Sequence, residues 1–114
     1  MNDTTTTLSH LKKQVDDFVK ERDWYQFHTP KNISMGLSIE AAELMELFLY
    51  GEDIQPGKEK AVAHEMVDVL WWLLSLSNKA GIDIAAAFEE KIKLNAQKYP
   101  IDKSKGKATK YTDL

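Results

Sequence analysis

The chain has no cysteine among its 114 residues, which excludes disulfides and thiol catalysis and fits a reducing compartment. Proline and glycine are scarce, three and five, and most fall where elements should start or stop rather than in a flexible linker. An excess of one charge is also missing. Fifteen Lys and Arg against 18 Asp and Glu give a net charge of −3, too little to build a global field for nucleic acid or a membrane surface. Any anionic ligand must therefore be captured locally. Every long apolar run is interrupted by acids, and Met1-Asn2-Asp3 followed by four threonines has neither the basic nor the apolar region of a signal peptide. A cytoplasmic protein with no nucleic-acid and no membrane partner is expected. Strand alternation, internal repeats, a Gly-rich phosphate loop and a nucleophile elbow are all absent. So is Glu-x-x-His, which counts against a di-iron carboxylate bundle.

What is present is helical periodicity. Leu8, Leu11, Val15, Phe18 and Val19 recur at steps of three and four, predicting an amphipathic helix near residues 5–22. Thr29-Pro30 is a start signal for a second helix running from Pro30 or Ile33 to Tyr50, with Gly51 as its stop. Its apolar residues cover most of the circumference, so it should be central. Pro56-Gly57 marks a loop, and a third, largely apolar helix should span Lys58 to Lys79 before Gly81. Asp83 should cap a fourth helix from Ile84 to Lys98, followed after Tyr99-Pro100 by a Lys-rich tail. The expectation is one all-α domain over residues 1–114, a four-helix bundle, with 1–7 and 103–114 as flexible tails. Two helices apolar nearly all round are too many for a solitary bundle, which argues for a homo-oligomer.

The chemistry is concentrated in two acidic pairs, Glu40-Ala-Ala-Glu43 and Glu65-Met-Val-Asp68, each inside an otherwise apolar helix. Residues three apart share a helix face, so each pair directs two carboxylates to one region. Ordinary salt-bridged or solvated glutamates would be the plainer account. Against it, the i+4 positions hold Leu44, Leu47, Val69 and Trp72 rather than cations, and the pattern occurs twice. Four carboxylates in packing segments suggest a shared hard cation such as Mg2+, with Mn2+ as an alternative. Glu46 extends the first row by another step and is a fifth ligand, a base that positions water, or a surface residue. His64 faces away from Glu65 and reads as structural. Trp24, Tyr25, Phe27, Tyr50, Trp71 and Trp72 are core aromatics by default. The placement of Trp24, Tyr50 and Trp72 around the acidic rows also suits stacking on a nucleobase. Lys91, Lys98 and the tail lysines, with Asn95, are either a solvated face or phosphate contacts.

These segments together resemble the MazG-like all-α nucleoside triphosphate pyrophosphohydrolases, most closely the small single-domain branch that includes the dCTP pyrophosphatases. Glu40-Ala-Ala-Glu43-Leu-Met-Glu46 and Glu65-Met-Val-Asp68 look like the family's ExxE and ExxD metal motifs. Trp24-Tyr25-Gln26-Phe27-His28-Thr29-Pro30 resembles the segment before the second helix, and Asn95-Ala96-Gln97-Lys98-Tyr99-Pro100 the closing helix. The resemblance implies Mg2+-dependent hydrolysis of a nucleoside triphosphate to the monophosphate and pyrophosphate, with Glu40, Glu43, Glu65 and Asp68 as metal ligands. It implies Glu43 or Glu46 as the group that activates water. It implies substrate contacts at Trp24, His28, Tyr50, Trp72, Lys91, Asn95, Lys98 and Tyr99, with Lys91 and Lys103 the weaker phosphate contacts, and a homodimer or homotetramer. Tyr50, Trp72 and Val15 depart from the branch's pattern, which bears on the preference for cytosine and leaves the reaction type untouched. The rival readings are a non-catalytic helical self-association module, and the same chemistry on dUTP, a modified nucleotide or a phosphoribosyl-ATP-like compound.

Overall fold

The computed structural model describes residues 1–114 and contains only helices and turns. The all-α expectation holds, with five α-helices where the periodicity gave four. They are α1 (Leu8–Glu21), α2 (Pro30–Glu46), α3 (Glu59–Ala80), α4 (Ile84–Lys98) and the single turn α5 (Ile101–Ser104), with short 3-10 turns at Trp24–Gln26 and Tyr111–Asp113. The chain divides into two compact units, residues 1–81 and 82–114.

In the first unit, α1 and α2 each pack against α3. α1 starts at Leu8, the first residue of its apolar stripe and later than the expected start near residue 5, because Thr7 caps it by accepting from the His10 amide at 3.1 Å. The preceding residues form a separate turn in which Asn2 Oδ1 accepts from the amides of Thr4 and Thr5. Val15, Val19 and Leu74 form the buried cluster, with Leu11, Tyr25 and Trp71 packed around it. Asn78 on α3 donates to the Lys12 carbonyl of α1 at 2.9 Å, fixing the two helices in register.

α1 is ended by Asp23, which takes the left-handed conformation at φ 51. The chain then turns back through Trp24–Gln26, and the Tyr25 hydroxyl donates to Asp16 on α1. Burial, and then the hydrogen bond to Asp16, push the Tyr25 phenol up to about 12, so it stays protonated and keeps donating. This tether keeps the turn against α1, where Trp24 meets Phe18. Thr29 then caps α2 by accepting from the Asn32 amide at 3.2 Å, and Pro30 occupies the first turn as its missing N–H allows.

α2 stops four residues short of the expected Tyr50. Leu47, Phe48 and Leu49 donate to the carbonyls of Leu44, Met45 and Glu46, so the last turn tightens to i→i+3 bonds and Gly51 does not cap an α-helix. Hydrophobic periodicity does not distinguish the two bonding patterns, since both keep side chains three apart on one face. α3 ends as read from the sequence: Gly81, at φ 66, closes it with its N–H on the Ser77 carbonyl. Many apolar side chains on the α2–α3 pair remain exposed, among them Met35, Ile39, Met66, Val67 and Leu73.

In the second unit, Asp83 caps α4 as expected, accepting from the Ala86 amide at 3.0 Å. Phe88 and Ile92 lie on its surface. Where the sequence suggested only a Lys-rich tail, α5 follows Pro100 and a 3-10 turn sets Tyr111 edge-on to Tyr99, ring centroids 5.9 Å apart. The Lys98 ammonium lies 4.9 Å from the Tyr111 ring centre.

Candidate metal centre

The pairing of α2 with α3 brings the two acidic rows together. Glu40 and Glu43 of α2 and Glu65 of α3 each offer a carboxylate oxygen, and these oxygens lie within 4.8 Å of one another. Glu40 and Glu65 are half-buried, and the Oε2 atom of each is shielded from solvent with no hydrogen-bond partner. Buried acceptors left this way cost stability, more so when charged. No cation of the chain supplies the missing charge: its ion pairs, such as Lys13–Asp17 and Lys20–Asp16, join other carboxylates.

The electrostatic consequence falls on Glu40. A hydrogen bond with Glu43, then burial, then the nearby charges of Glu43, Asp68 and Glu65 raise its pKa from 4.5 to about 7. Orphaned oxygens, only oxygen donors and uncompensated negative charge are together what a hard divalent cation requires, so the residues fit Mg2+. Asp68 is the fourth carboxylate of the sequence motif. It lies outside the 4.8 Å cluster, yet close enough for its charge to act on Glu40. Glu46, the last residue of α2, is exposed and also outside the cluster.

The raised Glu40 pKa has a pH consequence. The folded protein favours the neutral acid, so the stabilisation from this group is present below its ordinary pKa of 4.5 and is lost as pH rises to about 7. A divalent cation offsets the charge that accumulates above that range. Added Mg2+ is therefore expected to raise the melting temperature more at pH 8 than at pH 5, as read by differential scanning fluorimetry against EDTA. Equal increments at both pH values would contradict the assignment.

One turn from the carboxylates lies an aromatic cluster. Trp72, four residues after Asp68, meets Trp71 at a centroid distance of 5.0 Å and His28 at 5.3 Å. His28 also contacts Trp71 and Trp24, and Trp24 meets Phe18 at 5.7 Å. Burial and then Lys79 push the His28 imidazole below its usual pKa, so it is neutral near pH 7. Three of the residues marked for substrate, Trp24, His28 and Trp72, are thus in one cluster. Tyr50 is not: it is 97% exposed on the turn after α2, because the helix that would have carried it on the Glu43 face ends at Glu46. In the second unit, Lys91 is exposed on α4, Asn95 is half-buried on the same helix, and Lys98 and Tyr99 hold the Tyr111 turn. Gly36, a lone glycine inside α2, lies directly against the Trp72 indole.

Residues 35–114 match the MazG-like family. dCTP pyrophosphatase 1 of Rattus norvegicus is 40% identical over 115 residues, covering 95% of this chain and 68% of the rat protein. The Homo sapiens protein of the same name is 34% identical over the same extent. Among solved structures, a pyrophosphatase from Archaeoglobus fulgidus superposes with a TM-score of 0.78 at 31% identity, covering 88% of this chain and 98% of that one. The chain belongs to the MazG-like family.

Proposed function

We propose that this chain, a nucleotide pyrophosphohydrolase by its relatives, uses Mg2+ to hydrolyse a nucleoside or deoxynucleoside triphosphate to the monophosphate and pyrophosphate, with dCTP or a modified deoxynucleotide as the favoured substrate. The observation that carries this reading is the convergence of Glu40, Glu43 and Glu65, on the two helices of which α3 also carries Trp72 of the Trp24–His28–Trp72 cluster, one turn after Asp68. The resemblance to the dCTP pyrophosphatases supplies the bond that is cut.

In the reaction, the oxygen of a water molecule bonds to the α-phosphorus as the bond to the α–β bridging oxygen breaks. Pyrophosphate leaves with that oxygen, and the water's proton passes to a carboxylate and then to solvent. Mg2+, held by Glu40, Glu43 and Glu65 with Asp68 close by, would neutralise charge on the phosphate oxygens. Glu43 is the better placed of the two candidates to orient the water, because it stands in the carboxylate cluster and Glu46 does not. Trp24 and Trp72 stack on the base, and neutral His28 offers a ring nitrogen beside them. The family resemblance is the ground for proposing Asn95 and Lys98 as phosphate contacts, with Lys91 and Lys103 weaker, and Tyr50 and Tyr99 as further substrate contacts.

The apolar side chains exposed on α2 and α3 support a homodimer or homotetramer. No helix is long and apolar enough to cross a membrane, and the proposed setting is the cytoplasm. The test is pyrophosphate release from a panel of NTPs and dNTPs with and without Mg2+. Metal-dependent release from at least one member is expected. Release of orthophosphate in its place would overturn the proposed cleavage site, and no turnover at all would overturn the enzyme.

A further inference from the structure

Gly36 lies in the middle of α2, where glycine costs about 1 kcal/mol relative to alanine. Unlike Gly57, Gly81 and Gly106, it does not have a positive φ, so backbone conformation does not require it. Space does. A Cβ at Gly36 would fall 2.6 to 2.8 Å from Cε2, Cζ2 and Cδ2 of Trp72, well inside the roughly 3.5–4.0 Å at which carbon atoms pack. Two of these atoms are at the fusion of the two indole rings, so relief requires the whole ring system to move. Trp71 and His28 hold other sides of the same indole, at centroid distances of 5.0 and 5.3 Å. With those positions taken, a displaced indole moves away from the α2 backbone and out of its present seat.

The seat is placed where it matters for the site. Gly36 is four residues before Glu40 on α2, and Trp72 four after Asp68 on α3, so the contact is about one turn, roughly 6 Å of helix axis, from Glu40 and from Asp68. We infer that Gly36 is a positioning residue: by lacking a side chain it seats Trp72 against α2 and so fixes where a nucleotide base stacks relative to the metal centre. This rests on the functional reading above, and in particular on Trp72 as a base contact.

The test is a double-mutant cycle of Gly36→Ala and Trp72→Phe, measured as pyrophosphate release, with the Trp72 indole N–H resonance assigned by its loss in Trp72→Phe. Gly36→Ala is expected to shift that resonance and to raise KM about tenfold, within the range of base–aromatic stacking, with kcat and the Mg2+ requirement close to wild type. In the Trp72→Phe background the same alanine should add a much smaller increase in KM, because phenylalanine lacks the fused second ring that the alanine Cβ would meet. An unchanged KM in Gly36→Ala, an equal penalty in both backgrounds, or a Gly36→Ala protein that does not fold would each overturn the assignment. Absence of metal-dependent turnover in the wild type would instead overturn the functional reading on which it rests.

Discussion

Replacing Glu40 by glutamine is expected to cut pyrophosphate release by two to three orders of magnitude, while making the metal-free protein more resistant to heat at pH 8. The two effects have one cause. Glu40 is the carboxylate on which its neighbours act most strongly: Glu43, Asp68 and Glu65 all raise its pKa, which reaches about 7. Glutamine keeps the shape and removes the charge, relieving the repulsion that disfavours the metal-free fold above neutral pH. It also removes a ligand from a centre asked to supply several kcal/mol of charge stabilisation, at about 1.4 kcal/mol for each tenfold in rate. Activity by pyrophosphate assay and melting temperature in EDTA should therefore move in opposite directions. A loss of both would mark Glu40 as a packing residue, and a loss of neither would remove it from the site.

The second large effect is on stability. Ile33 is fully buried in the first turns of α2, seven residues before Glu40 on the same helix. Ile33→Ala is expected to cost about 2–4 kcal/mol through lost burial and the cavity left behind. For a chain of this size that lowers the melting temperature by about 10 °C or more. The exposed neighbour Lys31→Ala should stay within about 0.5 kcal/mol of wild type in the same denaturation experiment. An Ile33→Ala protein as stable as Lys31→Ala would mean that α2 is not anchored through this side chain.

Much of the helical layout could be read directly. The Thr29-Pro30 start of α2, the Gly81 stop of α3 and the Asp83 cap of α4 all act through local hydrogen bonds or local backbone geometry. Local rules therefore sufficed for them. The end of α2 was not legible, because the α-helix passes into a tighter turn that keeps nearly the same apolar pattern. α5 and the Tyr111 turn were not legible either. A single turn has no period to detect, and Tyr111 is held by contacts with Lys98 and Tyr99 that lie over ten residues away.

For the candidate site, the sequence by itself determined that two carboxylate rows exist, which face of its helix each occupies, and that no cation stands beside them at the next turn. Helical spacing is enough for that, since it depends only on the bonds within each helix. Only the tertiary structure decided that Glu40, Glu43 and Glu65 converge while Asp68 stands just outside, and that Glu40 is held in its protonated form up to about pH 7 by its neighbours and by burial. It also decided that Trp72 lies on Gly36 rather than in the buried cluster of Val15, Val19 and Leu74. These outcomes depend on how closely α2 approaches α3, a distance set by side chains on both helices at once.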